Sequence, residues 1–230
     1  MLTANSTDKK ATFKVAFLTA ASIFVMGYLN GLALNTEDLG VMITPQTGNV
    51  IWMGLNTAAG NWAGLVQNLG LFFGFMGGAV LALFTQNSFK NKTVQFFYNW
   101  TVFALPIVLY PFVLQYNVPP ALSFLLLGLS AGAALGFFRK MYHMEINNAM
   151  ATGNVRFLGL HFAGAFIKRN KKEVFTFWIF FICVFAFAGG AFLYAIFAAA
   201  DVTILNIGLQ YIALVVFCII PYFFNPKAAA

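Results

Sequence analysis

Apolar segments long enough to cross a membrane follow one another along almost the whole chain. At least six of them reach the roughly 18–20 residues that a bilayer-spanning helix needs. A soluble domain of 230 residues could not bury a sequence that is 61% hydrophobic and only 8% charged. The sequence therefore predicts an all-α, polytopic integral membrane protein with one domain over residues 1–230. The apolar segments lie at about 15–34, 41–60, 63–85, 97–114, 120–138, 146–167, 174–200 and 203–224.

The basic residues lie at the termini and in the short loops between these segments, apart from Arg156. A net charge of +7 would also suit a nucleic-acid partner, but loop cations of this kind indicate membrane orientation. Cys183 and Cys218 lie in different apolar segments, without the spacing of a disulfide or metal site. We therefore expect the lipid bilayer as a partner, and no nucleic acid, metal or cofactor.

A tripeptide repeat divides the chain into two related halves. Thr47-Gly48-Asn49 recurs as Thr152-Gly153-Asn154, and the fourteen residues that begin at each copy agree at seven positions, TGNVIWMGLNTAAG against TGNVRFLGLHFAGA. Gly77-Gly78-Ala79 recurs as Gly189-Gly190-Ala191. The pattern predicts an internal duplication, with repeat one at about 15–114 and repeat two at about 120–224. The first segment of each half also carries a G-x-x-x-G pair, at Gly27 and at Gly128, which is typical of close helix packing.

Two topologies fit the segments. If all eight span the membrane, the halves are parallel repeats of four spans each. If the second and sixth segments are re-entrant, the protein has six spans plus two re-entrant half-helices, and the halves are inverted repeats.

Loop charge favours the inverted arrangement. With the N-terminus in the cytoplasm, it places every loop Lys and Arg inside, whereas eight spans would place the loop cations at 90–92 and 139–140 outside. The acidic residues at 37–38 and 201 then face outward. We expect a multi-pass protein of the bacterial inner membrane, with both termini cytoplasmic.

The two tripeptides are the candidate site for a solute. In the inverted arrangement both approach the membrane midplane, from opposite sides, at the N-terminus of a short helix. Helix N-termini present free N–H groups and partial positive charge, and Thr and Asn add donors and acceptors. Thr47, Gly48, Asn49, Thr152, Gly153 and Asn154 are therefore predicted to contact a small polar or anionic solute. The alternative is that Thr and Asn only cap these helices.

Arg156 is the strongest single candidate for a functional residue, because it lies near the middle of an apolar segment. A guanidinium at that depth is costly unless it is paired or faces a cavity. Glu145, Asn49 or the solute are its candidate partners, and snorkelling to the cytoplasmic surface is the alternative. Asn30, one turn below the outer end of the first span, is assigned to the same path, or to a bond with a neighbouring helix. His161 matches Asn56 between the repeats and is expected to hydrogen-bond within the bundle.

One pattern resembles an enzyme motif. Residues 128–132 read G-L-S-A-G, but a hydrolase needs a strand, a turn and a helix there, whereas this stretch lies in one apolar segment. We predict no enzyme, with an intramembrane serine hydrolase that pairs Ser130 with His143 or His161 as a remote alternative. No carboxylate pair lies in an apolar segment, which argues against proton coupling.

Three motifs carry a family resemblance. The first apolar segment ends G-Y-L-N-G, and the two tripeptides extend to T-G-N-V-x-x-x-G-L and T-G-N-x-x-x-L-G. The chain resembles the YoaK-like family of small bacterial integral membrane proteins of unknown function over nearly its whole length. The resemblance implies a membrane location and no particular substrate, and it implies an acidic residue in many relatives where Asn30 stands here.

The leading prediction is a small-solute transporter or channel, with its site at the repeat interface. The alternative from a different class is a non-transporting membrane protein that assembles with a partner or with further copies of itself.

Overall fold

The computed structural model describes residues 6–35, 41–116, 118–142, 144–147, 151–167 and 169–199. This part of the chain forms seven α-helices and one short β-hairpin. The elements are α1 (Ser6–Asn35), α2 (Gln46–Ala58), α3 (Trp62–Ser88), α4 (Lys92–Gln115), α5 (Pro120–Phe137), β1 (Lys140–Met141), β2 (Met144–Glu145), α6 (Ala151–Phe162) with a π-helical continuation (Ala163–Ile167), and α7 (Lys171–Ala199). The predicted segment 203–224 lies outside the described residues, as do Glu37, Asp38 and Asp201.

Four helical stretches are long and apolar enough to cross a bilayer. They are Val15–Leu34, Trp62–Ser88, Pro120–Phe137 and Lys171–Ala199. Helix α4 has 24 residues, but Gln95, Tyr98 and Asn99 interrupt its apolar run. The prediction of an all-α protein with the helices of a membrane protein is therefore confirmed.

Helices α2 and α6 are much shorter than the segments that contain them. Helix α2 has 13 residues and α6 has 12, followed by 5 π-helical residues. Thirteen helical residues reach about 20 Å, against about 30 Å for the hydrocarbon core. Helix α2 is preceded by the non-helical residues 41–45 and packs against α3, and α6 packs against α7. Each short helix therefore forms a hairpin with the long helix that follows it.

Two pairs of long helices pack backbone to backbone through glycine, α1 with α7 and α3 with α5. The carbonyl oxygen of Phe187 lies where a side chain at Gly27 would begin. The carbonyl oxygen of Phe75 lies in the same place beside Gly132. The offset from Gly27 to Gly132 is the one that relates Thr47 to Thr152, so these two contacts are equivalent under the sequence repeat.

A second glycine contact recurs in the same way. Gly190 of α7 lies against the carbonyl oxygen of Phe24 in α1, and Gly78 of α3 lies against that of Leu129 in α5. The glycine of α5 that matches Gly27 of α1 is thus Gly132. It lies one turn beyond Gly128, which begins the predicted G-x-x-x-G pair. The sequence alone does not show which glycine of α5 aligns with Gly27, because α5 carries glycine at every fourth position from 128 to 136.

A third contact also fixes the helix directions. Gly31 packs against the Tyr194 ring, and its equivalent Gly136 packs against the Cβ of Ala82. From Gly27 to Gly31 the partner in α7 advances from Phe187 to Tyr194, so α1 and α7 are parallel. The same holds for α3 and α5.

Two helices begin and two helices end at one end of the bundle. The hydroxyl of Thr19, near the beginning of the first apolar stretch, donates to the carbonyl of Lys140 after α5 (2.9 Å). The Gln86 side chain, near the end of α3, donates to the carbonyl of Gly136 (3.0 Å). Helix α4 begins beside them with Gln95. We call this the basic end, at which α1 and α4 begin and α3 and α5 end.

The chain segments before α2 and α6 reach into the core. Val41 and Ile43 are completely buried in a cluster with Met26, Phe103 and Leu127 of α1, α4 and α5. In the second half, Ile146 packs in a separate cluster with residues of α1 and α7. The first segment therefore fills the middle of the bundle, and the second lies closer to the basic end.

Candidate functional site

The asparagine of each tripeptide holds the chain segment that precedes its helix. Asn49 is completely buried; its Nδ2 donates to the carbonyl of Met42 (2.7 Å), and the Met42 N–H donates to Asn49 Oδ1 (3.3 Å). Asn154 makes the same two bonds with the backbone of Asn147, at 2.8 and 3.1 Å. Both amides thus bind the backbone seven residues upstream, as a neighbouring strand would. Asn49 is not the cap of α2, whose N-cap is Pro45 without a side-chain hydrogen bond, so this amide does not have the predicted capping role.

The glycines and threonines differ from the asparagines. The Asn147 side chain occupies the space that a Cβ at Gly153 would need, whereas the nearest group to Gly48 is the Met42 sulfur at 4.0 Å. Thr47 and Thr152 are both exposed. A side chain at Gly153 would therefore displace the Asn147 amide, and the threonines are the polar groups of the tripeptides that remain accessible.

Asn30 of α1 forms hydrogen bonds with the segment 41–45 that precedes α2. It is buried, its Nδ2 donates to the Met26 carbonyl (2.7 Å) and to the Thr44 hydroxyl (3.0 Å), and its Oδ1 accepts from the Thr44 N–H (3.3 Å). The bond to a neighbouring element, which was the alternative to solute contact, is present. The equivalent residue in α5 is Leu135, so the second segment lacks this fastening.

Arg156 lies on the exposed face of α6, beside Val155 and Leu160, which are 51% and 57% exposed. Within the described residues it has no ion pair or hydrogen bond, so neither Glu145 nor Asn49 is its partner there. No hydrogen bond in the described part of the chain joins α2 to α6. The two tripeptides are therefore not brought together by direct bonds.

A cavity of about 450 Å³ opens at the basic end between α1, α3, α4 and the end of α5. Amide side chains of Gln86 and Gln95 and the cations Arg139 and Lys140 line it, with aromatic rings on its other side. Among the described residues that line it, none is acidic. The cavity thus offers hydrogen bonds and positive charge to a small polar or anionic molecule.

A second cavity, of about 360 Å³, lies against the second tripeptide segment. Its lining includes Arg139, Glu145 and Asn147, the residue whose backbone Asn154 holds. Arg139 lines both cavities, so the two spaces are neighbours around one guanidinium.

Buried amides on α3 and α4 were missed by the sequence analysis. The carbonyl oxygens of Gln67, Asn68 and Asn99 are buried and accept no hydrogen bond within the described residues. Asn99 donates to the carbonyl of Gln95, one turn nearer the first cavity (2.8 Å). An unpaired buried carbonyl is costly and often serves function. Their signal was available, because amides are rare in apolar segments of membrane length.

His161 also has a partner that the sequence analysis did not identify. Its Nδ1 lies 2.5 Å from Glu173 Oε2, across the turn between α6 and α7. The expectation that His161 bonds within the bundle is confirmed. In the described residues, no three His, Cys, Asp or Glu side chains come together as metal ligands would.

Ser130 does not resemble an activated nucleophile. It is completely buried in α5, and its hydroxyl donates to the carbonyl of Phe103 in α4 (2.8 Å). Residues 128–132 lie within one helix, without the strand and turn of a hydrolase.

Comparison with known proteins gives a family and no biochemical activity. The model of a family described as a protein of unknown function (DUF1275) matches residues 18–220. No match was found among the curated proteins or among the solved structures. The match covers most of the chain, and the apolar helices are those of a membrane protein. The chain therefore belongs to the DUF1275 family of proteins of unknown function.

Proposed function

We propose that this protein is a transporter or channel for a small polar or anionic solute, built from two inverted repeats with six spans and two re-entrant half-helices. The observation that carries the proposal is the recurrence of backbone contacts between the halves. Gly27 on Phe187 repeats as Gly132 on Phe75, and each pair joins one helix from each half. Repeats that exchange helices in this way are common in transporters, with the solute site near their interface.

Helix direction supports the inverted arrangement. With eight spans, α1 and α3 would both begin on the same side. Here the beginning of α1 lies with the end of α3, because Val15 and Gln86 line one cavity. A single short helix, α2, connects them, as a re-entrant segment would.

Charge supports the orientation. Lys90, Arg139 and Lys140 lie at the basic end, and α7, which is parallel to α1, begins there with Lys171 and Lys172. Cytoplasmic loops carry an excess of such residues. We therefore assign the basic end to the cytoplasm and both termini to the same side of the bacterial inner membrane.

The two neighbouring cavities are the proposed entry for the solute. They open at the cytoplasmic end, and the first leads by Gln95 toward the buried amide of Asn99. Val41 and Ile43 fill the bundle centre, so the described conformation is closed toward the outside. Arg156 remains a proposed site residue, since no described group neutralises it. Thr47 and Thr152 are proposed to contact the solute. Asn49 and Asn154 are proposed to act by holding the chain segments that precede α2 and α6.

Flux in reconstituted vesicles tests this proposal. Purified protein is placed in liposomes, and stopped-flow light scattering follows reswelling with urea, glycerol, formate or nitrate. We expect faster entry of at least one probe than in empty liposomes, and slower entry in the Gln95→Leu variant. Thr101→Leu, on the exposed side of the same helix, is the matched control.

Folded protein that passes none of the probes, and that co-purifies with a stoichiometric partner, would support the assembly alternative instead. We also propose that the chain is not an enzyme. The bond from the buried Ser130 hydroxyl to the Phe103 carbonyl supports this, because a nucleophile must reach its substrate. Labelling of Ser130 by a fluorophosphonate in the folded protein would contradict it.

A further inference from the structure

One titratable pair joins the second short helix to the long helix after it. His161 on α6 and Glu173 in the first turn of α7 approach to 2.5 Å, and their side chains are 25% and 31% exposed. The imidazole stacks on the Phe180 ring, with centroids 5.5 Å apart and planes at 4°. The ring is thus held between α6 and α7, with Nδ1 directed at the carboxylate.

The first half has a neutral pair in the same place. Asn61 Nδ2 donates to Asn56 Oδ1 (3.0 Å) where α2 meets α3. Asn56 matches His161 by the offset of the tripeptides, and Asn61 matches Glu173 by the offset of the Gly-Gly-Ala motifs. Both hairpins therefore have a side-chain contact at equivalent positions, but only the second contact joins an imidazole to a carboxylate.

The second hairpin is also less regular. Its connection is longer than that of the first, and it contains the π-helical residues 163–167 and a turn at Arg169 with φ 52°. π-Helical turns are rare and often mark functional sites. The His161–Glu173 pair bridges this irregular connection, beside the ring contacts of Phe162 and Phe166 with Phe177 that also join this region to α7.

Several charged groups lie near the pair. Arg169 lies in the turn, Lys171 and Lys172 lie beside Glu173 at the beginning of α7, and Arg156 is the other charge on α6. Arg139 and the acidic Glu145 line the cavity beside Phe157, whose ring also stacks on His161. Histidine is the side chain that gains and loses a proton near neutral pH.

We propose that His161 and Glu173 form a proton-binding site on the cytoplasmic hairpin. A proton taken from water by the His161 ring turns the contact into an ion pair and closes the joint between α6 and α7. Return of that proton to water leaves neutral imidazole beside the carboxylate, and the joint opens more often. Coupling of this step to solute movement rests on the proposed function, whereas the proton site itself does not.

Hydrogen exchange measures the opening directly. The full-length protein in nanodiscs is labelled between pH 5.5 and 8, with rates corrected for the intrinsic pH dependence of exchange. Because the pair is partly exposed, we expect opening over residues 163–173 to rise about two- to fivefold across this range. The first hairpin, closed by Asn56 and Asn61, serves as an internal control that does not change.

The matched variant copies the first hairpin into the second, as His161→Asn with Glu173→Asn. We expect its exchange at 163–173 to be independent of pH. Glu173→Gln, which removes only the charge, should give the same result if the double variant does not fold. His143→Asn, at the other histidine, should leave the wild-type pH dependence intact.

A wild-type joint whose exchange does not change with pH would overturn the proton site. Persistence of the dependence in Glu173→Gln, or its loss in His143→Asn, would also overturn it. If exchange responds as expected while no probe crosses reconstituted vesicles, the transport proposal fails and the proton site stands.

Discussion

Replacing Asn49 by alanine tests whether the repeated asparagines hold the chain segments that precede α2 and α6. The change removes the two bonds to Met42, and it leaves an N–H and a carbonyl of the segment before α2 without these partners. Each buried group that loses its partner costs about 1–3 kcal/mol. The Met42 N–H bond is long at 3.3 Å, so we expect a total loss of about 2–4 kcal/mol in the free energy of unfolding.

The equivalent variant and a control sharpen the test. Asn154→Ala removes bonds of 2.8 and 3.1 Å and should cost a similar free energy. Thr47→Ala lies on the exposed side of α2 and should change stability by less than about 0.5 kcal/mol. Unfolding free energies are measured by titrating the purified protein in mixed micelles with denaturing detergent.

The asparagine role is refuted by one result in particular. If Asn49→Ala matched Thr47→Ala in stability but abolished flux, the amide would act on the solute and its bonds to Met42 would be incidental. A loss in both stability and flux, in both asparagine variants, is what the geometry leads us to expect.

Three further predictions concern topology, packing and charge. In a cysteine-free background, an impermeant maleimide added to intact cells should label a cysteine at Val118 but not at Lys92; the reverse would mean eight spans. Gly132→Val should destabilise the protein by at least about 1–3 kcal/mol, since the α3 backbone occupies the space for its side chain, whereas Gly77→Val, which faces open space, should be nearly neutral in the same unfolding assay. Arg156→Leu should abolish flux with expression largely retained, and full flux in that variant would make Arg156 an orientation charge only.

The sequence predicted where the described helices lie, because apolar runs are local features. Segments 41–60 and 146–167 stood out by their polar residues, and both contain short helices that pack back on their successors. The bond of Asn49 to the Met42 backbone was not predicted. Met42 has no polar side chain, so the sequence gives no signal that identifies this partner.

Other features could not be predicted, because they depend on register and on contacts across connections. Glycine recurs so regularly in α5 that Gly128 and Gly132 both fit the repeat until the contact with Phe75 selects one. Glu173 lies outside the apolar core of its segment, and the longer connection hides its match to Asn61. Sequence reasoning looked only for carboxylate pairs within apolar segments, so it did not predict the contact of His161 with Glu173 at a segment boundary.

The differences between the halves indicate where function resides. Backbone contacts recur where glycine meets a carbonyl, and such contacts only fix how the helices pack. The polar atoms diverge: Asn30 of α1 is replaced by Leu135 in α5, and Arg156 replaces Ile51. A repeat kept only for stability would have no reason to place a guanidinium on an apolar face, since that charge is costly in lipid. The segment before α2 is held by neutral hydrogen bonds of Asn30 and Asn49, whereas charged side chains lie on the second hairpin and along the cavities beside it. Movement is therefore expected in the second hairpin, with the first as its fixed support.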